Sequence, residues 1–207
     1  MKAAIKSAAK ALAAKSPHLA VGAGPLLEAW VALELGAQLK AKGLKVRIAT
    51  KLKSGKIEYN KKYLVRTSQK TPTKAPGTSW LEITARRRRY EVHNSLQLRG
   101  LSLATHEADV CMLNTHGPYP VGLPYVVIEC KNYKSGAMPC NAVRSIPTVR
   151  ADVPNALRSL WCVLSTSKRT TNSKLIGDRF GIPTYGSVVP SLGHADIANI
   201  IIRMPHL

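Results

Sequence analysis

Acidic side chains are scarce in this sequence. Its 207 residues hold eleven Asp and Glu against thirty-one Lys and Arg, a formal net charge of +20. Such an excess points to a polyanionic partner, because released counterions drive association with phosphates. Nucleic acid is the partner this favours, ahead of an anionic membrane surface. Each of the few carboxylates on a phosphate-seeking surface then needs a reason of its own. Cysteine is sparse too: Cys111, Cys130, Cys140 and Cys162. None form a CxxC pair, and no His or Cys spacing supports a zinc site. They read as reduced, mostly buried thiols of a cytoplasmic protein. No run of about eighteen apolar residues occurs, so no membrane-spanning helix is expected. Internal repeats are also missing.

Apolar residues make up 45% of the chain, which suits a folded domain with a real core. The start, MKAAIKSAAKALAAKS, is Ala-rich, and Lys2, Lys6, Lys10 and Lys15 line a helix face. It lacks the apolar stretch of a secretory signal. An organellar transit peptide would look similar, so import stays open beside a cytoplasmic location. Residues 1–23 are read as a basic helical arm lying on nucleic acid, and residues 24–207 as one domain.

In GPLLEAWVALELGAQLKAKG, Leu27, Trp30, Val31, Leu35 and Leu39 recur at helical spacing between Pro25 and Gly43. KVRIATKL alternates like a strand. Residues 53–79 are rich in Lys, Thr, Ser, Pro and Gly and predict a hairpin or irregular loop. SWLEITARRRRYEVHN reads as a strand that crosses a basic run. HEADVCML and LPYVVIECKNY read as two more strands joined by the turn residues of THGPYPVG. The span from Asn141 to Leu160 is weakly helical and broken by Pro147 and Pro154. WCVLSTS, TNSKLIGDRFG, IPTYGSVV and HADIANIIIRM read as strand, helix, strand and helix. This alternation favours a mixed α/β sheet covered by helices.

The chemistry concentrates in YVVIECKNY. Val126, Val127 and Ile128 form an apolar rod, and Glu129 and Lys131 share one side of it, because strand side chains repeat every second residue. Asp109 lies in the strand expected to pair with this one. Antiparallel pairing would bring two carboxylates together beside an ammonium, a set able to hold a hard divalent cation through oxygen ligands.

Asp109, followed by Glu129, Cys130 and Lys131 after a hydrophobic strand, resembles the PD-(D/E)xK nuclease superfamily, which includes restriction endonucleases and Holliday-junction resolvases. GLSLATHEADVCML is similar to the family's approach to its acidic strand, and VLSTSKRTTNSKLIGDRFGIPTYGSV to its closing strand–helix–strand. Ala108 stands where the motif's name has proline. The resemblance spans roughly residues 24–190 and implies a restriction-endonuclease-like mixed central sheet flanked by helices. It implies Mg²⁺ or Mn²⁺ held by the side chains of Asp109 and Glu129 and the backbone carbonyl of Cys130, with Lys131 catalytic. Glu28 falls where many members carry a metal-associated glutamate, but Glu34 on the same helix competes. The implied activity is hydrolysis of phosphodiester bonds, in DNA rather than RNA, by a protein that homodimerises in many relatives.

Around this centre, Arg86, Arg87, Arg88 and Arg89 form the densest basic run, and Lys168 and Arg169 follow WCVLSTS. All six are candidate phosphate contacts. Tyr59, Tyr63 and Trp80 could stack on unpaired bases, although Trp80 also suits a core. Glu107, His93 and His106 lie near the site in sequence; Glu107 suits an ion pair as well as it suits a metal, and for His93 and His106 an exposed or hydrogen-bonded ring is favoured over a general base. A non-catalytic basic nucleic-acid-binding protein, on a nuclease-like or unrelated fold, is the alternative reading. A strand-end ion pair between Glu129 and Lys131 would then suffice.

Overall fold

A computed structural model describes residues 24–65, 74–115, 123–133, 136–154, 158–188 and 194–204. The N-terminal arm, together with Arg66 and Lys70, falls outside those ranges. Helix α1 (Gly24–Ala41) carries Pro25 in its first turn and gives way at Gly43, whose φ of 91° is one that side-chain-bearing residues resist. Strand β1 (Lys45–Lys51) then pairs antiparallel with short β2 (Ile57–Tyr59) and with β3 (Thr78–Ala85). Strands β4 (Arg88–Arg99), β5 (Thr105–Asn114) and β6 (Leu123–Lys131) continue the antiparallel run. Helices α2 (Asn141–Arg144) and α3 (Ile146–Asp152) cross to β7 (Leu160–Ser165), which lies parallel to β6. Helix α4 (Thr171–Arg179) crosses to β8 (Thr184–Tyr185), again parallel, and α5 (His194–Ile202) follows. The order across the sheet is β2-β1-β3-β4-β5-β6-β7-β8. The protein is thus mixed α/β, an eight-stranded mixed sheet flanked by helices. No helix among the described residues is long and apolar enough to cross a membrane.

Two apolar layers hold the sheet between its helices. On one face, Leu27, Trp30, Val31 and Leu35 of α1 and Ile197 and Ile200 of α5 pack with Val46, Ile48, Leu81, Val92, Val110, Val126 and Ile128. On the other, Ala142, Val143 and Ile146 from α2 and α3 pack with Leu96, Ala108, Cys111, Val127 and Trp161. Helix α1 is buried on nearly every side from Leu27 to Gly36. At Gly36 the helix lies so close to the sheet that a Cβ would stand 2.3 Å from Leu81 Cδ1. Leu81 is itself fully buried, so it must shift within a packed layer to make room. Gly36→Ile should therefore destabilise the fold by about 1–3 kcal/mol through overpacking, read as a lower midpoint in chemical denaturation.

The span after Asn141 is helical and broken as expected: α2 ends at Arg144, Pro147 sits in the first turn of α3, where its missing N–H costs nothing, and α3 ends at Asp152, two residues before Pro154. Two other sequence expectations change. SWLEITARRRRYEVHN is a hairpin, not one strand: the chain reverses at Arg86 and Arg87, with Arg86 at φ 53°. The last strand shrinks to Thr184 and Tyr185. Beyond them Gly186 lies against the Arg169 backbone so closely that a Cβ would meet its nitrogen at 2.6 Å.

Candidate functional site

The site is built where β5 and β6 separate beneath α1. The β5–β6 ladder ends at the pair Val110↔Ile128. One residue further along each strand stand Asp109 and Glu129. Cys130 N–H donates to Asp109 Oδ2 at 2.7 Å. In an extended strand the N–H and C=O of one residue point to the same edge, so the Cys130 carbonyl also faces β5. Lys131 Nζ donates to Glu129 Oε2 at 2.9 Å and lies 3.9 Å from Asp109 Oδ2. One ammonium touches both carboxylates, so the two acids open on the same cleft, as strand alternation and antiparallel pairing anticipate.

The backbone of β4 explains why the cleft opens here. Asn94 pairs with Val110 and Leu96 with Ala108, leaving Ser95 opposite Asp109 with a φ of 51°. Val110 packs under α1, whereas Ala108, two residues away on the same strand, packs on the opposite layer. Regular alternation would have kept them together. The sheet turns over at the Ser95–Asp109 rung, and Ser95 Oγ donates a hydrogen bond to Glu28 Oε2 of α1. Glu28, not Glu34, is the helix acid at the site. Glu34 accepts from Gln38 Nε2 on its own helix instead.

The electrostatics follow from crowding acids in a low-dielectric cleft. Burial pushes Glu28 up to about 7; its Ser95 hydrogen bond opposes this, and the charges of Asp109 and Glu129 add to it. Glu129 is likewise raised to about 7, by burial first and by Asp109 next, against the pull of Lys131. Asp109 is raised by burial despite Lys131 and the Cys130 N–H, with Glu107 contributing. For Lys131, burial works to lower the pKa, but Glu129 and Asp109 outweigh it and hold the amine above its ordinary value. The amine is therefore protonated throughout the neutral range. Its side chain is 31% exposed, enough for a substrate to reach.

Ser95 is the site residue that sequence reasoning missed. The polar triplet His93, Asn94, Ser95 between the apolar positions Val92 and Leu96 was the available signal. Asn94 extends the network, donating to Ser95 Oγ at 3.3 Å and accepting from Tyr63 Oη at 3.0 Å. That bond ties Tyr63 into the fold rather than leaving it as a stacking platform. Trp80 is core, 1% exposed. Tyr59 is exposed, with the Arg47 guanidinium 4.0 Å over its ring.

Other candidates stand apart from the cleft. His93 is buried, bonded to Glu91 at 3.1 Å and stacked on Trp80. His106 bonds Asp152 at 2.6 Å. Arg86 to Arg89 are all exposed, but Arg88 lies seven residues up β4 from Ser95, roughly 23 Å away along the strand. Lys168 and Arg169 follow the end of β7, which pairs with β6 through Ser165↔Lys131 and so ends on the same side of the sheet as the cleft. Lys168 is exposed there, whereas Arg169 Nη1 is fixed on the Thr184 carbonyl at 2.6 Å.

No family model matches this sequence, and no curated protein matches it.

The donors in the cleft are carboxylate and carbonyl oxygens, the chemistry that suits a hard divalent cation rather than zinc or copper. Among the described residues, no three His, Cys, Asp or Glu side chains converge as a preformed metal cage. Two carboxylates and a main-chain oxygen, with water and substrate completing the sphere, match the way Mg²⁺ is commonly bound.

Proposed function

We propose that the chain is a metal-dependent nuclease of restriction-endonuclease-like fold that hydrolyses phosphodiester bonds, in DNA in preference to RNA. The observation that carries this reading is the single ammonium, Lys131 Nζ, in contact with both Asp109 and Glu129 at a strand end, in a chain of net charge +20. Asp109 and Glu129 would hold Mg²⁺ or Mn²⁺ with their side chains, and Cys130 with its carbonyl. The bound cation supplies charge stabilisation at the phosphate and a more acidic water. Lys131, protonated, would donate to the phosphoryl oxygens or the attacking water and offset the negative charge that grows as the water oxygen bonds to phosphorus, its proton passing to solvent, and the ester oxygen leaves. Because its amine stays charged, Lys131 acts as a donor and not as the base. Glu28, fixed by Ser95, adds a third carboxylate behind the pair and raises the cleft's demand for a cation.

Incubating the full chain with single-stranded, duplex, nicked and branched DNA, and with RNA, tests this reading. Cleavage of at least one DNA form is expected with Mg²⁺ or Mn²⁺ and not with EDTA. Affinity should fall steeply with salt, as log K against log salt. Failure to cut any form with either metal would favour a second reading, a binding protein whose cleft is idle. The lack of a third converging ligand among the described residues is the observation on that side.

A further inference from the structure

The loop between β4 and β5 exposes two large apolar side chains where nothing in the fold uses them. Leu101 and Leu103 are 69% and 70% exposed. Leu103 also takes a φ of 69°, a left-handed backbone that a bulky residue adopts only at a cost. A loop that merely reversed the chain would carry Gly or Asn there.

The tip is nevertheless held firmly. Asp152 of α3 accepts from Ser102 N at 2.8 Å, Ser102 Oγ at 2.6 Å and His106 Nε2 at 2.6 Å. Leu101 N donates to the Asp152 carbonyl at 2.7 Å, and Gly100 N to the Ala104 carbonyl at 2.7 Å. Gly100 is needed beneath this clip, since a Cβ would stand 1.9 Å from Asp152 Oδ2. The side-chain hydrogen bonds from His106 and Ser102 hold the Asp152 carboxyl down at about 2. The result is a rigid projection whose polar groups face inward and whose leucines face out.

Its position gives the projection a use. Strand β5 runs from this loop to Asp109, four residues beyond Thr105, or about 14 Å along the strand. Arg99 is exposed at the foot of the loop, opposite Thr105. We propose that Leu101 and Leu103 form a wedge that enters the base stack of a nucleic-acid duplex a few base pairs from the bond presented to Asp109, Glu129 and Lys131. Apolar side chains inserted between base steps unstack and kink a duplex, and the bend brings more backbone against the protein. The burial gained by the leucines offsets the cost of unstacking. The inference rests on the nuclease reading for its choice of partner, and a readout independent of cleavage separates the two.

That readout is the fluorescence of 2-aminopurine, placed in turn at each step of a short duplex and measured with the full chain in Ca²⁺. Wild type should raise the signal at one or two adjacent steps. Leu101→Ser/Leu103→Ser should remove the rise and weaken duplex binding by about tenfold or more. Leu103→Gly suits the backbone and should weaken the signal while leaving Tm equal or higher, which a purely structural role for Leu103 would not allow. An unchanged signal and affinity in the double variant would overturn the wedge. So would a wild type that binds and cuts duplex with no 2-aminopurine response, and that result would leave the nuclease reading standing. A fluorescence rise without cutting in any metal would keep the wedge and sink the nuclease. If the double variant instead dissolves a wild-type dimer in sedimentation, or abolishes binding to anionic vesicles, the leucines belong to another surface and the proposal falls.

Discussion

Glu129→Gln is expected to abolish metal-dependent cleavage, by about 10³-fold or more, while making the metal-free protein more stable at pH 8. The first effect follows from removing a charged oxygen ligand. The second follows from linkage. The folded pKa of Glu129 is raised from 4.5 to about 7. Between those values the folded state binds more protons than the unfolded state, so stability declines as pH rises from about 4.5 through about 7 and is lowest above it. A neutral amide escapes that decline, for a gain of up to a few kcal/mol. Thermal melts at pH 5 and pH 8, each in EDTA, read it directly: the variant's advantage should appear at pH 8 and shrink at pH 5. Cutting at the wild-type rate would remove Glu129 from the mechanism. A lower Tm at pH 8 would mean that its bond to Lys131 outweighs the repulsion and burial acting against it.

Lys131→Met should produce the opposite pairing of effects, loss of activity with loss of stability. Cleavage should fall by roughly 10²–10³-fold, the usual consequence of removing one donor aimed at developing charge. The amine's folded pKa lies above its ordinary value. Its stabilisation is thus complete below that value, including at pH 8, and is lost only in strongly alkaline solution. Without it, Asp109 and Glu129 face each other unscreened, at a cost of about 1–3 kcal/mol after allowing for the partial exposure of the side chain. Added Mn²⁺ should then raise the Tm of the variant by more than it raises that of wild type, because the cation takes over charge that the ammonium had balanced. Differential scanning fluorimetry across a Mn²⁺ titration measures this. A variant that cuts within a few-fold of wild type, or a Tm indifferent to Mn²⁺ in both proteins, would contradict the assignment.

Much of this site could be read in advance because it is local. Asp109, Glu129 and Lys131 sit on two strands that follow one another in the chain, and period-two alternation with antiparallel pairing is enough to bring them together. Glu28 was ambiguous for a physical reason. Helix α1 is buried nearly all round, so it carries no amphipathic phase to say whether Glu28 or Glu34 faces the sheet. Ser95 was hidden because its part depends on a backbone torsion, and nothing about serine announces φ 51°. The reversal at Arg86 and Arg87 was masked in the same way, four identical residues offering neither Gly nor Asn to mark a turn.

The rung where the sheet turns over has one more effect, on how a strand of nucleic acid would settle. Glu28, Glu107, Asp109 and Glu129 influence one another there, four of only eleven acids in the chain. On the proposed reading, a strand of nucleic acid would meet at this spot a group of buried carboxyls with a single ammonium, Lys131, among them. A doubly charged ion would tip that balance toward the phosphate. Grip and incision would then be separately controlled, the first by ionic strength and the second by the supply of divalent ions.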